Sequence, residues 1–294
     1  MRLKVPAWLR ISLEIILLAF FSVVLTVGAG IYNLAWYSPK VPAPVSPADQ
    51  NLTFESTRLV TADGVKLAAW YVPRRAGTSR SAVIVLPDFT LDKGAIFPHV
   101  AFLAEQFNVL ALDFRRAGES EAAPSTVAIR EQLDLQAAIA WLQGRGINNI
   151  GVYGFGVGGS IALTAAARNE DVLAAVAEGA YADLREAVHA PFQPFGVARE
   201  HLINVSVWLG RTSLGLDLDD ASPRQSLKEI GDKPLLVIHA SGDTLVPLEQ
   251  AEVLRAAIAG DPQAEFWLEA DAIRGQGSAE FARRVTEFFQ KHLP

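Results

Sequence analysis

Apolar and polar positions follow three regimes along the chain. From Ile15 to Leu34 no residue carries a formal charge. As a helix, at about 1.5 Å per residue, this stretch is long enough to cross a bilayer core of about 30 Å. Ser38 to Gln50 then carries prolines at 39, 42, 44 and 47, a pattern that favours extended polyproline II geometry and a semi-rigid spacer. Beyond it, Leu52–Thr61 and Val65–Val72 read as two strands joined through Asp63-Gly64, a hairpin signal. Short apolar runs follow: Ala82–Leu86, Val109–Leu112, Ile150–Tyr153, Val172–Ala177, Leu235–His239 and Glu265–Leu268. Between them lie helical stripes, at Ile96, Val100, Leu103 and Phe107, then at Ile129, Leu133, Ala137 and Trp141. A last stripe comprises Phe281, Val285, Phe288 and Phe289. Continuous apolar strands alternating with helices predict an α/β fold, with a mostly parallel sheet covered on both faces. The exception is the segment from Tyr181 to Gly231, rich in Pro, Phe and Gly. It is too long for a connection and is expected to be a cap inserted over the carboxyl edge of the sheet. The expected organisation is a tail and transmembrane anchor over 1–37, a linker over 38–50 and a globular domain over 51–294, with its cap at about 181–231.

Charge orients the first segment. Arg2, Lys4 and Arg10 precede it with Glu14 the only nearby acid, and Lys40 is the sole basic residue from there to Arg58. The positive-inside rule then puts the N-terminus in the cytoplasm and the domain outside the cell membrane, with Trp36 and Tyr37 at the far interface. A cleaved signal peptide is the competing reading, since Val27-Gly28-Ala29 offers small residues for cleavage. Its apolar region would exceed the about 7–15 residues usual there. A net charge of −6 without a basic run argues against nucleic acid as a partner. With no cysteine there is neither a disulfide framework nor a thiolate zinc site. Five histidines without paired spacing leave little from which to build a metal centre, and no cofactor is expected.

Several motifs, taken in order, sharpen the fold. They are Asp63-Gly64-Val65-Lys66-Leu67, then Asp113-Phe114-Arg115-Arg116-Ala117-Gly118-Glu119-Ser120, and Tyr153-Gly154-Phe155-Gly156-Val157-Gly158-Gly159. Ser222-Pro223 and His239-Ala240-Ser241-Gly242-Asp243-Thr244-Leu245-Val246-Pro247 complete the set. In this order and at these separations they resemble the α/β-hydrolase superfamily, especially its membrane-anchored serine-hydrolase members. The resemblance runs from about Leu52 to the C-terminus. It implies an opening hairpin, a D-x-R-G-x-G-x-S turn after the fourth strand, a nucleophile elbow and a closing acid loop.

The resemblance also implies a Ser, Cys or Asp on the strained strand-to-helix turn, where this chain has Gly156, which cannot attack. The position expected for the catalytic His aligns with Arg274, which cannot accept a proton near neutrality. Only the acid, Asp243, survives of the degenerate triad. After the third strand, Leu86-Pro87-Asp88-Phe89 replaces the usual His-Gly and sets a carboxylate beside the place where an oxyanion would develop. Gly156 adopts the elbow conformation without steric penalty, so the substitution reads as a relaxed elbow. If family geometry persists, Asp243 and Arg274 form an ion pair in place of the Asp-His contact. Asp88, Phe89, Val157 and Asp113 are candidate pocket residues, since ligands of open α/β sheets bind at the carboxyl ends of strands. The expected function is therefore binding, either of a small apolar or lipid-like ligand or of a protein partner, by a membrane-anchored and catalytically inactive protein. Two alternatives stand beside it. One is an active hydrolase of ester or acyl substrates using rearranged residues. The other is dinucleotide binding, because Gly154-Phe155-Gly156-Val157-Gly158-Gly159 also fits G-x-G-x-x-G and Glu178 ends the next strand.

Overall fold

Val, Ile, Leu and Ala dominate the runs from 82 to 240, and such segments settle where both faces of a strand are covered. A computed structural model describes residues 6–36, 45–89, 91–270, 275 and 277–294. In it, β1 (Glu55–Val60) and β2 (Lys66–Val72) form the opening hairpin, closed by a backbone bond from Thr61 N to Val65 O at 3.0 Å. The turn needs Gly64, whose φ is +85°. The remaining strands are β3 (Ser81–Leu86), β4 (Asn108–Leu112), β5 (Asn149–Phe155), β6 (Val172–Glu178), β7 (Leu235–Ala240) and β8 (Ala264–Glu269). They assemble in the order β1-β2-β4-β3-β5-β6-β7-β8, antiparallel at β1/β2 and β2/β4 and parallel elsewhere. Every residue of β3, β4 and β7 is buried, as unbroken apolar runs require.

Ten α-helices are assigned among the described residues: α1 (Ala7–Trp36), α2 (Lys93–Val100), α3 (Glu131–Gln143), α4 (Val157–Arg168), α5 (Leu184–Ala187), α6 (Arg199–Leu214), α7 (Leu218–Ala221), α8 (Pro223–Ser226), α9 (Leu248–Ala257) and α10 (Ala279–His292). On one face of the sheet α3 and α4 pack with the underside of the cap. On the other, α2 and α10 pack, the latter through Phe281, Val285, Phe288 and Phe289 as its stripe predicts. The cap is helical, built from α5–α8 and a 3-10 stretch over Ala190–Ala198.

Three local expectations change. The stripe from Ile96 to Phe107 is buried, but the helix stops at Val100 and continues as a 3-10 turn over Ala101–Glu105. On α3 the buried face is Glu131, Asp134, Leu135, Ala138, Ile139 and Leu142, while Leu133, Ala137 and Trp141 are half-buried. Two acids turn the helix. Asp134 accepts from Arg115 N at 2.8 Å and from its guanidinium at 2.7 and 2.9 Å, and Glu131 accepts from Ser125 Oγ and Thr126 N. Finally, α1 begins at Ala7, ahead of the expected start at residue 15, and Ala7–Thr26 is long and apolar enough to cross a membrane. Most of the linker lies outside the described residues, but Pro47–Gln50 forms a 3-10 turn with Pro47 at its first position, where the missing N–H costs nothing.

Candidate functional site: a strand-to-helix turn closed by its own carboxylate

Strand β5 runs into α4 through Gly156, held at φ 59°, ψ −122°. A non-glycine residue at these angles is strained by about 1–3 kcal/mol. The turn is pinned on one side by Gly156 N donating to Glu178 O at 2.9 Å, at the end of β6. On the other side Ser160 N donates to Gly156 O at 3.2 Å. Its flanking glycines are required by close approach. A Cβ on Gly154 would lie 2.1 Å from Gly158 O, and one on Gly158 would lie 2.4 Å from Pro87 O. The loop after β3 thus presses directly onto the start of α4.

That pressure brings Asp88 into the turn. Its Oδ1 accepts from Phe89 N at 2.8 Å and from Val157 N at 2.9 Å. One N–H from the loop after the third strand and one from the residue after the elbow are the two donors with which an α/β-hydrolase-type turn holds an oxyanion. Here a side chain of the same chain takes both. Asp88 and Val157 are 8% and 4% exposed, so solvent reaches the pair poorly. The pyrophosphate seat of the G-x-G-x-x-G reading is closed for the same reason. Asp88 occupies the helix start, Pro87 abuts Gly158, and the Glu178 carboxylate is engaged by His99 and Tyr153.

The other sequence candidates separate. Phe89 and Val157 line a small void of about 20 Å³ with Phe114, Arg116, Ala117 and Ser125. Ser125 also borders a larger apolar cleft of about 90 Å³, whose other walls are Thr126, Val127, Val188, Phe192, Val207, Gly210, Leu216 and Leu218. The elbow therefore adjoins a cleft roofed by the cap. Asp113, expected at a pocket wall, has no exposed surface. Its carboxylate accepts from Lys93 N and Nζ, each at 2.7 Å, and from Glu119 N at 2.9 Å, so it fastens the loops around it. Burial pushes the Asp113 carboxyl up, against the pull of the Lys93 ammonium. Asp243 caps its own loop, Oδ1 accepting from Leu245 N at 2.8 Å and Val246 N at 2.9 Å. Arg274 lies outside the described residues, and so does its expected pairing with Asp243. Ser160 is buried, donating to Tyr181 O at 2.9 Å and accepting from Tyr181 N at 3.0 Å. Among the described residues, no three His, Cys, Asp or Glu side chains converge as metal ligands.

One polar cluster escaped the sequence reading. His99 Nε2 lies 2.7 Å from Glu178 Oε2, which also accepts from the Tyr153 hydroxyl, and both side chains of the His–Glu pair are 7% exposed. The imidazole stacks on Phe281 at 4.6 Å between centroids and borders a groove with Ala95, Pro98, Phe102 and Ser278. The available signal was positional, for Glu178 ends the strand paired beside β5. Nothing in the spacing pointed to His99, 79 residues away.

Comparison with known proteins agrees with this geometry. A family profile described as "alpha/beta hydrolase fold" matches residues 91–218. The uncharacterized protein YfhR of Escherichia coli O157:H7 is 25% identical over 68% of this chain, which spans 66% of YfhR. The α/β hydrolase domain-containing protein WAV2 of Arabidopsis thaliana is 27% identical, with 78% of this chain and 77% of WAV2 covered. Among solved structures, the Pyrococcus furiosus esterase Pf2001 superposes with a TM-score of 0.70 at 27% identity, covering 88% of this chain and 99% of the esterase. Strand order, elbow, matched profile and relatives converge on one architecture, and the chain has the α/β-hydrolase fold.

Proposed function

We propose that this protein is a membrane-anchored member of the superfamily that binds a small apolar ligand beneath its cap and does not run serine-hydrolase chemistry. The observation that carries the reading is the Asp88 carboxylate in the grip of Phe89 N and Val157 N. A fixed negative charge about 4 Å from a developing oxyanion costs about 4 kcal/mol at an effective dielectric of 20. That is about a thousandfold in rate, and Gly156 supplies no nucleophile in compensation. The cleft fits a short apolar group. At about 90 Å³ it is smaller than the roughly 150 Å³ cavity that accepts benzene, so a few methylenes fill it. The long apolar α1 supports tethering, with the N-terminus cytoplasmic and the domain outside.

Labelling of the full-length protein with a fluorophosphonate probe, together with turnover of short-chain p-nitrophenyl esters, tests the reading. No labelling and no turnover above buffer are expected. Turnover would favour the second reading, a hydrolase with rearranged residues, for which the His99–Glu178 pair is the available base. Under that reading His99→Gln abolishes the activity.

A further inference from the structure

The outer face of the cap carries apolar side chains where a soluble surface would be polar. Val197 is fully exposed, Trp208 is 62% exposed, and Phe195 and Val205 are 39% and 38% exposed. Phe195 and Val197 belong to the 3-10 stretch Ala190–Ala198, and Val205 and Trp208 follow on α6 at a spacing of three, which puts them on one helical face. The opposite face of α6 is spoken for. Ile203 is buried there, and Val207 and Gly210 wall the apolar cleft, while Leu202 is buried at the edge between the two faces. The exposed stripe therefore exists in addition to the core-facing one.

The neighbour of this face is α1, which is in contact with both α6 and the 3-10 stretch. Along α1, the described side chains up to Leu25 are exposed and Thr26 is half-buried. The apolar window Ala7–Thr26 is thus bare of protein, and the helix continues to Trp36, about 15 Å further at about 1.5 Å per residue. If the window lies in the hydrocarbon, the cap stands at the level of the headgroups. The charges on α6 are paired, Arg199 with Glu200 at 3.1 Å within the helix and Arg211 with Asp217 just beyond it at 3.0 Å.

We infer that the outer face of the cap is a bilayer-contacting surface, lying at the headgroup–acyl boundary beside the anchor through Phe195, Val197, Val205 and Trp208. This rests on the anchoring reading above. The helix that roofs the cleft is then itself seated on lipid, so an apolar ligand passes between membrane and cleft along α6. Tryptophan suits such a boundary, and apolar area provides the attraction. With its charges paired, the surface needs no anionic lipid.

The chain contains no cysteine, so single labels report cleanly. Full-length protein is reconstituted in phosphatidylcholine vesicles with a nitroxide at Val197→Cys or Trp208→Cys, and in separate samples at Leu17→Cys within α1 and Val253→Cys on α9. Collision with a water-soluble nickel chelate is expected to fall at least about fivefold at 197 and 208 relative to 253, with collision by oxygen enhanced, as for a helix in the interface. Water-like collisions at 197 and 208 with a shielded label at 17 overturn the inference and leave the anchor standing. Water-like collisions at 17 as well overturn the anchoring reading and the inference with it. Shielding from nickel at 197 and 208 without enhanced oxygen collision indicates protein contact instead of lipid, and also overturns it.

Discussion

Replacing Asp88 by alanine removes the acceptor shared by Phe89 N and Val157 N and leaves a vacancy the size of one small carboxylate. Hydrogen bonds to a charged group contribute about 1.5–3 kcal/mol each. The Val157 donor is buried, whereas Phe89 N is partly accessible and recovers some of its loss from water. The expected destabilisation of Asp88→Ala is about 2–4 kcal/mol. For a domain of this size each kcal/mol lowers Tm by about 2–4 °C, so a loss of about 3 kcal/mol lowers it by about 6–12 °C. Asp88→Asn keeps a neutral acceptor in place and is expected to lose only about 1 kcal/mol. The vacancy in Asp88→Ala should then take up formate. With a Kd of about 10 mM, formate at about 100 mM returns about 1.4 kcal/mol. Thermal unfolding of the detergent-solubilised protein in formate or in chloride of equal ionic strength gives the answer. Formate should raise the Tm of Asp88→Ala and leave the wild type and Asp88→Asn unmoved. A loss below about 0.5 kcal/mol for Asp88→Ala, the size of an ordinary surface change, with no formate-specific recovery, would refute the assignment of those two donors to Asp88.

Further outcomes follow from the same geometry. Gly156→Ser alone is expected to yield no ester turnover and to lose about 1–3 kcal/mol to backbone strain. Adding Arg274→His supplies a base, and Asp88→Gly then raises the rate by roughly 10²–10³, read as p-nitrophenyl ester hydrolysis across the series. Gly158→Ala drives a methyl into Pro87 O and should destabilise by about 1–3 kcal/mol in urea unfolding, since backbone has to shift to admit it. Acid stability should report Asp63, whose bond to the Arg115 guanidinium, at 2.8 Å, holds its carboxyl at about 2. Because that lies below the ordinary value, the stabilisation is complete above about pH 4 and is lost as pH falls from about 4 to 2. Screening of its exposed third limits the effect to about 1 kcal/mol, and Asp63→Asn should flatten the slope of unfolding free energy over that window.

The sheet was legible because its signal is local. The runs Ala82–Leu86 and Leu235–His239 each fall within one residue of the strands they became, and Asp63-Gly64 marked its hairpin. The face of α3 was not legible, because Glu131 and Asp134 read as outward-facing acids until Ser125 and Arg115 supply their partners. Helix α6 hid for a different reason. Apolar residues on both faces, Ile203 and Val207 inward and Val205 and Trp208 outward, erase the single stripe by which an amphipathic helix is recognised. At the site, a glycine at position 156 and a carboxylate at position 88 were visible in the motif order. The clasp of Asp88 on Val157, across 69 residues, and the meeting of His99 with Glu178 are products of tertiary folding.

The clasp bears on how such a turn could change over time. On the proposed reading, a lineage placing a serine nucleophile here one substitution at a time meets a barrier whichever step comes first. Serine at position 156 introduces an unfavourable backbone angle while the carboxylate still fills the hole. Removal of Asp88 instead leaves two amides without their acceptor before any reaction can reward the change. The reverse path, from serine to glycine and from a small loop residue to aspartate, relieves strain at one step and satisfies donors at the other. Under the function proposed above, losing chemistry at this turn runs downhill in folding free energy and regaining it runs uphill, a ratchet built from one φ angle and one carboxylate.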